Sequence, residues 1–345
     1  MATNNLAATR NKGGNADKER RTEWQPDHFL KGLPKLWPIS PVGIVKWLYF
    51  YLVPWTLVYI AVSILVLVYL TPSMETMKTL RWDWIAFIFA RNCALLIVFS
   101  SCLHVPLYVK KSQGFDRKYN GRWLARNNPN FLFKNQLLDN LFWTFVGAVP
   151  IWTAYEVLTW WMFANGYIPY VSFNEHPIYC LAVLFAIPLS RNVHFYLIHR
   201  PIHWPFLYRW VHSVHHANVN VGPWSGLSMH PIEHILYFSG VLIHWIVPSN
   251  PIHAMFQMIH SSLAPAQSHT GFEKVVIKDG IEIRMEDYYH YLHHRYFECN
   301  YGGGGIMNVD AWFGTFNDGS PEAMEKMNHR VMSRQQKAQS EGQSS

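Results

Sequence analysis

Three short runs of histidine carry the chemistry of this 345-residue chain: HRPIH at 199–203, HSVHH at 212–216 and HYLHH at 290–294. Imidazole is the commonest neutral metal ligand, and each run repeats it at i, i+3 or i+4, offsets that share one face of a helix. His199 with His203, and His212 with His215 and His216, are therefore expected to aim ring nitrogens at one point. Fifteen of the nineteen histidines lie between His194 and His294. A lone histidine in such a chain is more often a polar side chain satisfied locally, but that account does not cover three multidentate runs. A structural zinc is filled by four ligands and a catalytic zinc takes three plus water. The eight histidines of the runs, with His269 and His230, are too many for one ion and suit two. An all-nitrogen, open-sided pair points to redox-active iron rather than to magnesium or calcium, which prefer oxygen. Zinc and manganese are the alternative occupants that such donors accept.

The elements that must position these residues are apolar. Hydrophobic residues make up 50% of the chain, aromatic residues 16% and charged residues only 15%. Residues 47–70 contain no charge and exceed the roughly 20 residues needed to cross a bilayer core, which predicts one transmembrane helix. Further spans are expected at about 84–109, 137–163 and 177–198. Arg91 and Glu156 lie inside two of them. Ionisable groups at membrane depth face a bundle interior or reach for an interface, so these spans are expected to pack on one another. After PWSGLSMHPIEH, two apolar arms at about 232–247 and 251–265 are broken at Pro248-Ser249-Asn250-Pro251. Each arm is short for a full crossing, which suggests a re-entrant or shallow pair that returns the chain to the side it left. The expected fold is an all-α integral membrane protein: about four transmembrane helices, a short re-entrant or interfacial hairpin, and a histidine-rich helical cap on the cytosolic side.

Loop charge gives the orientation. Lys12, Lys18, Arg20, Arg21, Lys31, Lys35 and Lys46 precede the first span, and only Lys78 and Arg81 separate spans one and two. Lys110, Lys111, Arg117, Lys118, Arg122, Arg126 and Lys134 follow span two, whereas 164–176 hold no Lys or Arg. This alternation fits the positive-inside rule with the N-terminus and the histidine runs in the cytoplasm. The net charge of +7 then reads as orientation and attraction to anionic lipid headgroups; split by membrane spans, it forms no stripe for a nucleic acid. The chain divides into a polar cytoplasmic tail at 1–36, unlike a cleavable signal peptide, membrane helices at 37–176, a histidine-bearing domain at 177–318, and a polar tail at 319–345 expected to be disordered. Cys93, Cys102, Cys180 and Cys299 have no paired spacing that would indicate a disulfide or a thiolate site. The GGGG run at 302–305 lacks the context of a phosphate loop and reads as a flexible turn.

Order and spacing together resemble a known family. HR-x-x-H (His199 to His203), then LYR-x-x-H-x-x-HH (Leu207 to His216), HP-x-E (His230 to Glu233), His-Thr-Gly (His269 to Gly271) and H-x-x-HH (His290 to His294) resemble the sterol desaturase and fatty acid hydroxylase superfamily of membrane di-iron oxidases, over about residues 178–318. Only nine residues separate the first two runs at their nearest histidines, closer than in acyl-CoA and acyl-lipid desaturases. The sequence departs from the pattern twice: Asn192 stands where many relatives have an acidic residue, and Val309 replaces the first aromatic of the closing element, which keeps Asp310 and Gly314.

The resemblance implies two irons on the cytosolic side, using dioxygen and two electrons to attack an unactivated C–H bond of a lipid by hydroxylation or desaturation. Its implied ligands are His199, His203, His212, His215, His216, His269, His290, His293 and His294. Further ligands or supporting donors are sought among His194, His230, Glu233 and His234, with Glu233 placed to accept an imidazole N–H. The HP-x-E and His-Thr-Gly elements favour a sterol substrate, with fatty acyl or sphingoid chains as the alternative. Trp143, Trp152, Trp160, Trp161 and Phe163 are candidates to wall a sterol-sized cleft, although such residues commonly anchor a membrane interface. The chain has no flavin, nicotinamide or HPGG haem motif, so electrons from NAD(P)H must arrive through a separate protein. That donor would be cytochrome b5 with its reductase in the endoplasmic reticulum of a eukaryote, or a ferredoxin at a bacterial inner membrane. The basic loop 110–134 suits an acidic donor. Two rival readings need other patterns. A histidine-lined metal transporter places ligands near the bilayer midplane, and a haem cytochrome needs single facing histidines such as His104 and His244.

Overall fold

The computed structural model describes residues 40–278, 280–285, 287–303 and 307–343; the expected tail at 1–36 and Gly304 and Gly305 lie outside them. The first apolar stretch folds as two helices, α1 (Pro41–Leu52) and α2 (Trp55–Tyr69), bent by 41°. This corrects the single helix expected over 47–70. Pro54 has no N–H to donate, and its ring drives the preceding residue out of the α region; Val53 is accordingly extended, with φ −109° and ψ 129°. The bend lets Tyr51 donate to the Phe185 carbonyl and pack its ring 4.7 Å from that of Phe185.

Three longer spans follow: α3 (Trp82–Val109), α4 (Gln136–Ala164) and α5 (Pro177–Ile202). Their most apolar windows are only 28%, 44% and 22% buried, so most of that surface faces outward. Outward residues such as Ile97, Val98, Ile178 and Leu181 are stable against lipid and costly against water. The chain is an all-α membrane protein with three such spans, or four with the bent α1–α2 pair. The two ionisable residues of α3 and α4 meet inside the bundle. Arg91 pairs with Glu156, Asn92 Nδ2 donates to Glu156 Oε2 at 3.0 Å, and Trp160 Nε1 donates to Glu156 Oε1 at 3.0 Å.

Beyond α5 the chain enters a π turn (Tyr208–His212) and the short helix α6 (Ser213–His216). The hairpin then descends through α7 (Pro231–Phe238) and a short turn to Ile246, and returns as α8 (Pro251–Ser268). It is deep, not shallow. Its Pro248–Pro251 break lies against the loop between α4 and α5, where Ser249 N donates to Pro169 O at 2.8 Å and Asn250 Nδ2 to Val171 O at 3.1 Å. Every residue of α8 from His253 to Gln267 is buried. The turn Pro223–Leu227 comes so close that a Cβ on Gly226 would sit 2.3 Å from Pro265 O.

Two features were not read from the sequence. Lys274–Lys278 (β1) pairs antiparallel with Ile281–Arg284 (β2), a small ribbon of β-branched residues attached to α2 through Trp55 Nε1, which donates to Arg284 O at 2.7 Å. The tail expected to be disordered is α11 (Pro321–Gln343), after α9 (Tyr288–Tyr296) and α10 (Val309–Trp312). Its start is capped by Ser320 Oγ, which accepts from Ala323 N at 3.2 Å, and its Glu, Ala, Met, Lys and Gln residues are helix formers. Met327 is buried against Tyr288 and Tyr291, and Arg330 donates to the Gly314 and Glu298 carbonyls. Polarity alone gave the wrong expectation because one apolar side of this helix finds a partner.

Candidate metal centre

The nine histidines of the three runs and the His-Thr-Gly element converge at one end of the bundle. They form two groups. His199, His203, His212, His216 and His293 make the first, and His215, His269, His290 and His294 the second; within each, one ligand atom per residue lies within 4.8 Å of all the others. Helix geometry explains the partition. His199 and His203 are i and i+4 on the last turns of α5, as are His212 and His216, and each such pair enters one group. Adjacent residues on a helix project about 100° apart, so His215-His216 and His293-His294 each send one ring to either group. His215 therefore parts from His212, against the expectation that all three rings of HSVHH share a point.

The nitrogens of the first group are nearly touching. Nε2 of His212 is 2.9 Å from that of His199 and 3.1 Å from that of His203, and Nε2 of His293 is 3.2 Å from His203 and 3.0 Å from His216. In the second group, Nε2 of His269, His290 and His294 form a triangle with sides of 3.1, 3.0 and 3.1 Å. The outward nitrogens are tied to the frame. His199 Nδ1 donates to Tyr301 O at 2.5 Å, His293 Nδ1 to Cys299 O at 2.6 Å and His269 Nδ1 to Pro265 O at 2.9 Å. Glu233 Oε1 stands 2.8 Å from His212 Nδ1. An imidazole that donates through Nδ1 presents a bare lone pair at Nε2. Several such lone pairs facing one another at about 3 Å repel unless a cation lies between them. An octahedral shell with bonds of about 2.1 Å has edges near 3.0 Å, whereas a tetrahedral one has edges near 3.4 Å. The all-imidazole donor sets fit first-row transition ions, and iron is compatible with both.

Burial keeps these rings neutral and ready as ligands. It holds His215 down to about 4, and burial with its imidazole neighbours holds His203 down to about 2; His290 and His293 are also lowered by burial first and adjacent histidines second.

Comparison with known proteins places this arrangement. Residues 183–315 match the family model described as fatty acid hydroxylase. That segment belongs to the sterol desaturase and fatty acid hydroxylase superfamily. The chain is similar to the Delta(7)-sterol 5(6)-desaturase ERG3B of Gibberella zeae, 29% identical over 54% of this chain and 56% of the relative. It is also similar to the Delta(7)-sterol 5(6)-desaturase ERG3 of Saccharomyces cerevisiae, 27% identical over 51% of this chain and 48% of the relative, and to a putative Delta(7)-sterol-C5(6)-desaturase 2 of Arabidopsis thaliana, 27% identical over 49% and 61%. The chain thus spans about half the length of the first curated relatives it matches. No solved structure matches it significantly.

The other candidates in the hydroxylase domain take supporting or separate places. His230 is outside both groups; its Nδ1 accepts from Ile232 N at 3.2 Å and caps α7. His194 meets Ser239 Oγ at 3.0 Å, and His234 Nε2 donates to Leu227 O at 3.1 Å. Sequence reasoning missed the loop that steadies His199 and His290. Asp310 accepts from Tyr301 N at 2.8 Å and Gly302 N at 2.7 Å, and so fixes the Tyr301 carbonyl that takes the His199 proton. Asn192, at the position that departs from the family pattern, donates to Gly302 O at 3.2 Å from the other side. Gly303, with φ +66°, lies where a Cβ would be 2.7 Å from His290 Nδ1. Gly303 is thus a close-approach position against the ligand shell; the retained Asp310 was the available signal.

A cleft leads from the hydroxylase domain's second histidine group, at His215, His269 and His290, to Trp55 and Tyr59 of α2 and Arg191 and Phe195 of α5. Trp152 and Trp160 do not line it; they are fully buried in the main core.

Proposed function

We propose that this chain is a membrane di-iron oxidase that hydroxylates or desaturates a lipid, with a sterol as its substrate. The observation that carries the reading is the division of nine histidines into two adjacent all-imidazole groups at the inner end of an apolar cleft. His199, His203, His212, His216 and His293 would hold one iron, and His215, His269, His290 and His294 the other. Bound iron supplies one-electron chemistry and dioxygen activation, which no side chain of the set provides. The protein does the rest. Glu233 and the Tyr301, Cys299 and Pro265 carbonyls take the Nδ1 protons and aim each Nε2 inward. Phe195 stacks on His199 with ring centroids 4.5 Å apart and lines the cleft beside the second group. The aromatic and apolar walls exclude water and lay a hydrocarbon against the second group. A metal transporter would place such ligands midway along its spans; here they stand at the end of α5 and beyond.

The sterol assignment rests on the named activities of the relatives and on the HP-x-E and His-Thr-Gly elements; a fatty acyl or sphingoid chain is the alternative. Electrons would come from NAD(P)H through a cytochrome b5-like or ferredoxin-like protein. The loop 110–134 abuts the histidine end, since Lys118 Nζ donates to Asn220 Oδ1 at 3.1 Å and Tyr119 N to Gly271 O at 3.0 Å. Lys118 and Arg117 are engaged inside the fold, whereas Lys110, Lys111, Arg126 and Lys134 are exposed and would face an acidic partner. Localisation to the endoplasmic reticulum, or to a bacterial inner membrane, follows from the same reading.

Substitution tests it group by group. His293→Ala removes a ligand from the first group and His215→Ala one from the second. Each is expected to lower bound iron from two per chain toward one and to abolish the oxidised lipid that mass spectrometry finds in extracts of cells carrying the wild-type chain. Lipid oxidation that persists with both histidines gone would overturn the proposal.

A further inference from the structure

The cleft contains a cation with no acidic partner. Arg191 lies eight residues before His199 on α5, about 12 Å along the helix, and lines the same cleft as His215, His269 and His290. Its guanidinium donates to the Tyr237 hydroxyl, which in turn donates to Ser261 O at 2.8 Å. Its Nε is buried without a partner, and so is Nδ1 of His260, a residue 9% exposed that lines the same cleft. The titratable side chains on which the Arg191 charge acts include Tyr59, His194, Tyr237 and His260, none of them acidic. Among the described residues Arg191 makes no ion pair.

A buried guanidinium Nε and a buried imidazole Nδ1, each without a partner on the wall of one cleft, are costly in a site of low dielectric unless a ligand completes them. The two vacant groups differ in kind. Arg191 Nε offers a proton, and a neutral imidazole with its free nitrogen at Nδ1 offers a lone pair. A hydroxyl has both functions, accepting from a guanidinium and donating to a ring nitrogen. A carboxylate or phosphate could answer only the first. The position also suits a substrate anchor. The ring of Phe195 contacts both sides, with its centroid 5.9 Å from that of Tyr237, 4.5 Å from that of His199 and 6.3 Å from that of His290.

We infer that Arg191 and His260 form a subsite for the free hydroxyl of the lipid substrate, holding it by its alcohol while the hydrocarbon extends toward His215, His269 and His290. The inference rests on the sterol reading above and narrows it to sterols with an unesterified hydroxyl.

Equilibrium binding to the full-length, iron-loaded protein in lipid nanodiscs tests the subsite without depending on turnover. The probes are a radiolabelled 3-hydroxysterol, the matching 3-deoxysterol and a long-chain fatty acid. Wild-type protein should bind the hydroxysterol more tightly than the deoxysterol by about 10- to 100-fold, the range of a hydrogen bond to a charged group. Arg191→Met should reduce that ratio to within about threefold of unity, and Arg191→Lys should restore part of it. His260→Phe, which keeps the ring volume, should reduce the ratio as well, and this second variant covers the case in which Arg191→Met fails to fold. A ratio unchanged in folded, iron-replete variants overturns the subsite. Tightest binding of the fatty acid, lost in Arg191→Met, overturns the hydroxyl assignment in favour of a carboxylate. Binding of neither sterol by the wild-type protein overturns the sterol reading itself.

Discussion

At the scale of single residues, the site is a problem in keeping imidazoles neutral. In the unfolded chain each histidine takes up a proton near pH 6.5, whereas burial holds His215 down to about 4 and His203 to about 2. Below pH 6.5 the unfolded chain therefore binds more protons than the folded one, and the linkage makes stability fall as pH drops from about 6.5 toward 4. Above 6.5 this contribution is complete and flat. Protons compete with metal for the same nitrogens, so a lowered proton affinity favours metal retention in mild acid. Bound iron, measured after equilibration between pH 4 and 8, is expected to remain near its plateau at pH 6 and to be half lost closer to pH 4 to 5. A midpoint at or above 6.5 would show that the rings titrate as if exposed. The eight histidines of the three runs were legible from spacing, because side-chain periodicity is a local property, whereas the lone His269 was reached only through the family resemblance. Tyr301, Cys299 and Pro265 were not, because what they contribute is a backbone carbonyl. Asn192 and Asp310 show the intermediate case. Their side chains meet at the Tyr301–Gly303 loop from positions more than a hundred residues apart, so only the fold reveals their common task.

At the scale of elements, apolar length placed the spans correctly and missed what interrupts or extends them. Pro54 was visible in the first stretch, but a run of apolar residues outweighed it; the local exclusion of α conformation before proline decided the structure. The helix at Pro321–Gln343 and the β1–β2 ribbon depend on partners that periodicity does not name. The expectation that Arg91 and Glu156 bring α3 and α4 together is met by their ion pair, and it carries a specific consequence. Removing one partner of a buried pair leaves a bare charge and costs about 3–5 kcal/mol, whereas replacing both by apolar residues is often near neutral. Arg91→Met should therefore lower stability by about that amount, and Arg91→Met with Glu156→Leu should recover most of the loss. Thermal unfolding in detergent, run on the single and double variants, reads this directly. Damage in the double variant as large as in the single would mean that the Asn92 bond to the Glu156 carboxylate, which the double variant also removes, contributes as much as the charge pairing.

At the scale of the whole molecule, the hydrogen bonds sort the loops into two ends without reference to charge. Asn165 Nδ2 donates to Lys78 O at 3.1 Å and Ser249 N to Pro169 O at 2.8 Å, which gathers the α2–α3 loop, the α4–α5 loop and the hairpin break at one end. Gln136 Nε2 donates to Asn218 Oδ1 at 2.9 Å, which joins the start of α4 to the histidine elements at the other. Lys78 and Arg81 are the basic residues of the first end, whereas the loop after α3 alone brings seven to the second. Geometry sorts the loops into two ends, and the positive-inside rule applied to those ends predicts that the histidine end faces the cytosol. In a Cys102→Ser background, Tyr167→Cys and Phe133→Cys place thiols at opposite ends, on positions 61% and 66% exposed. A membrane-impermeant maleimide applied to sealed vesicles whose cytosolic face is outward should label Phe133→Cys, and should reach Tyr167→Cys only after the vesicles are opened. Labelling of both before opening would contradict the two-ended arrangement, and the reverse pattern would invert it. On the proposed function, that orientation would let a soluble donor of electrons approach the histidine groups from the end that carries Lys110, Lys111 and Lys134, while the cleft beside α2 and α5 would take its lipid from the bilayer.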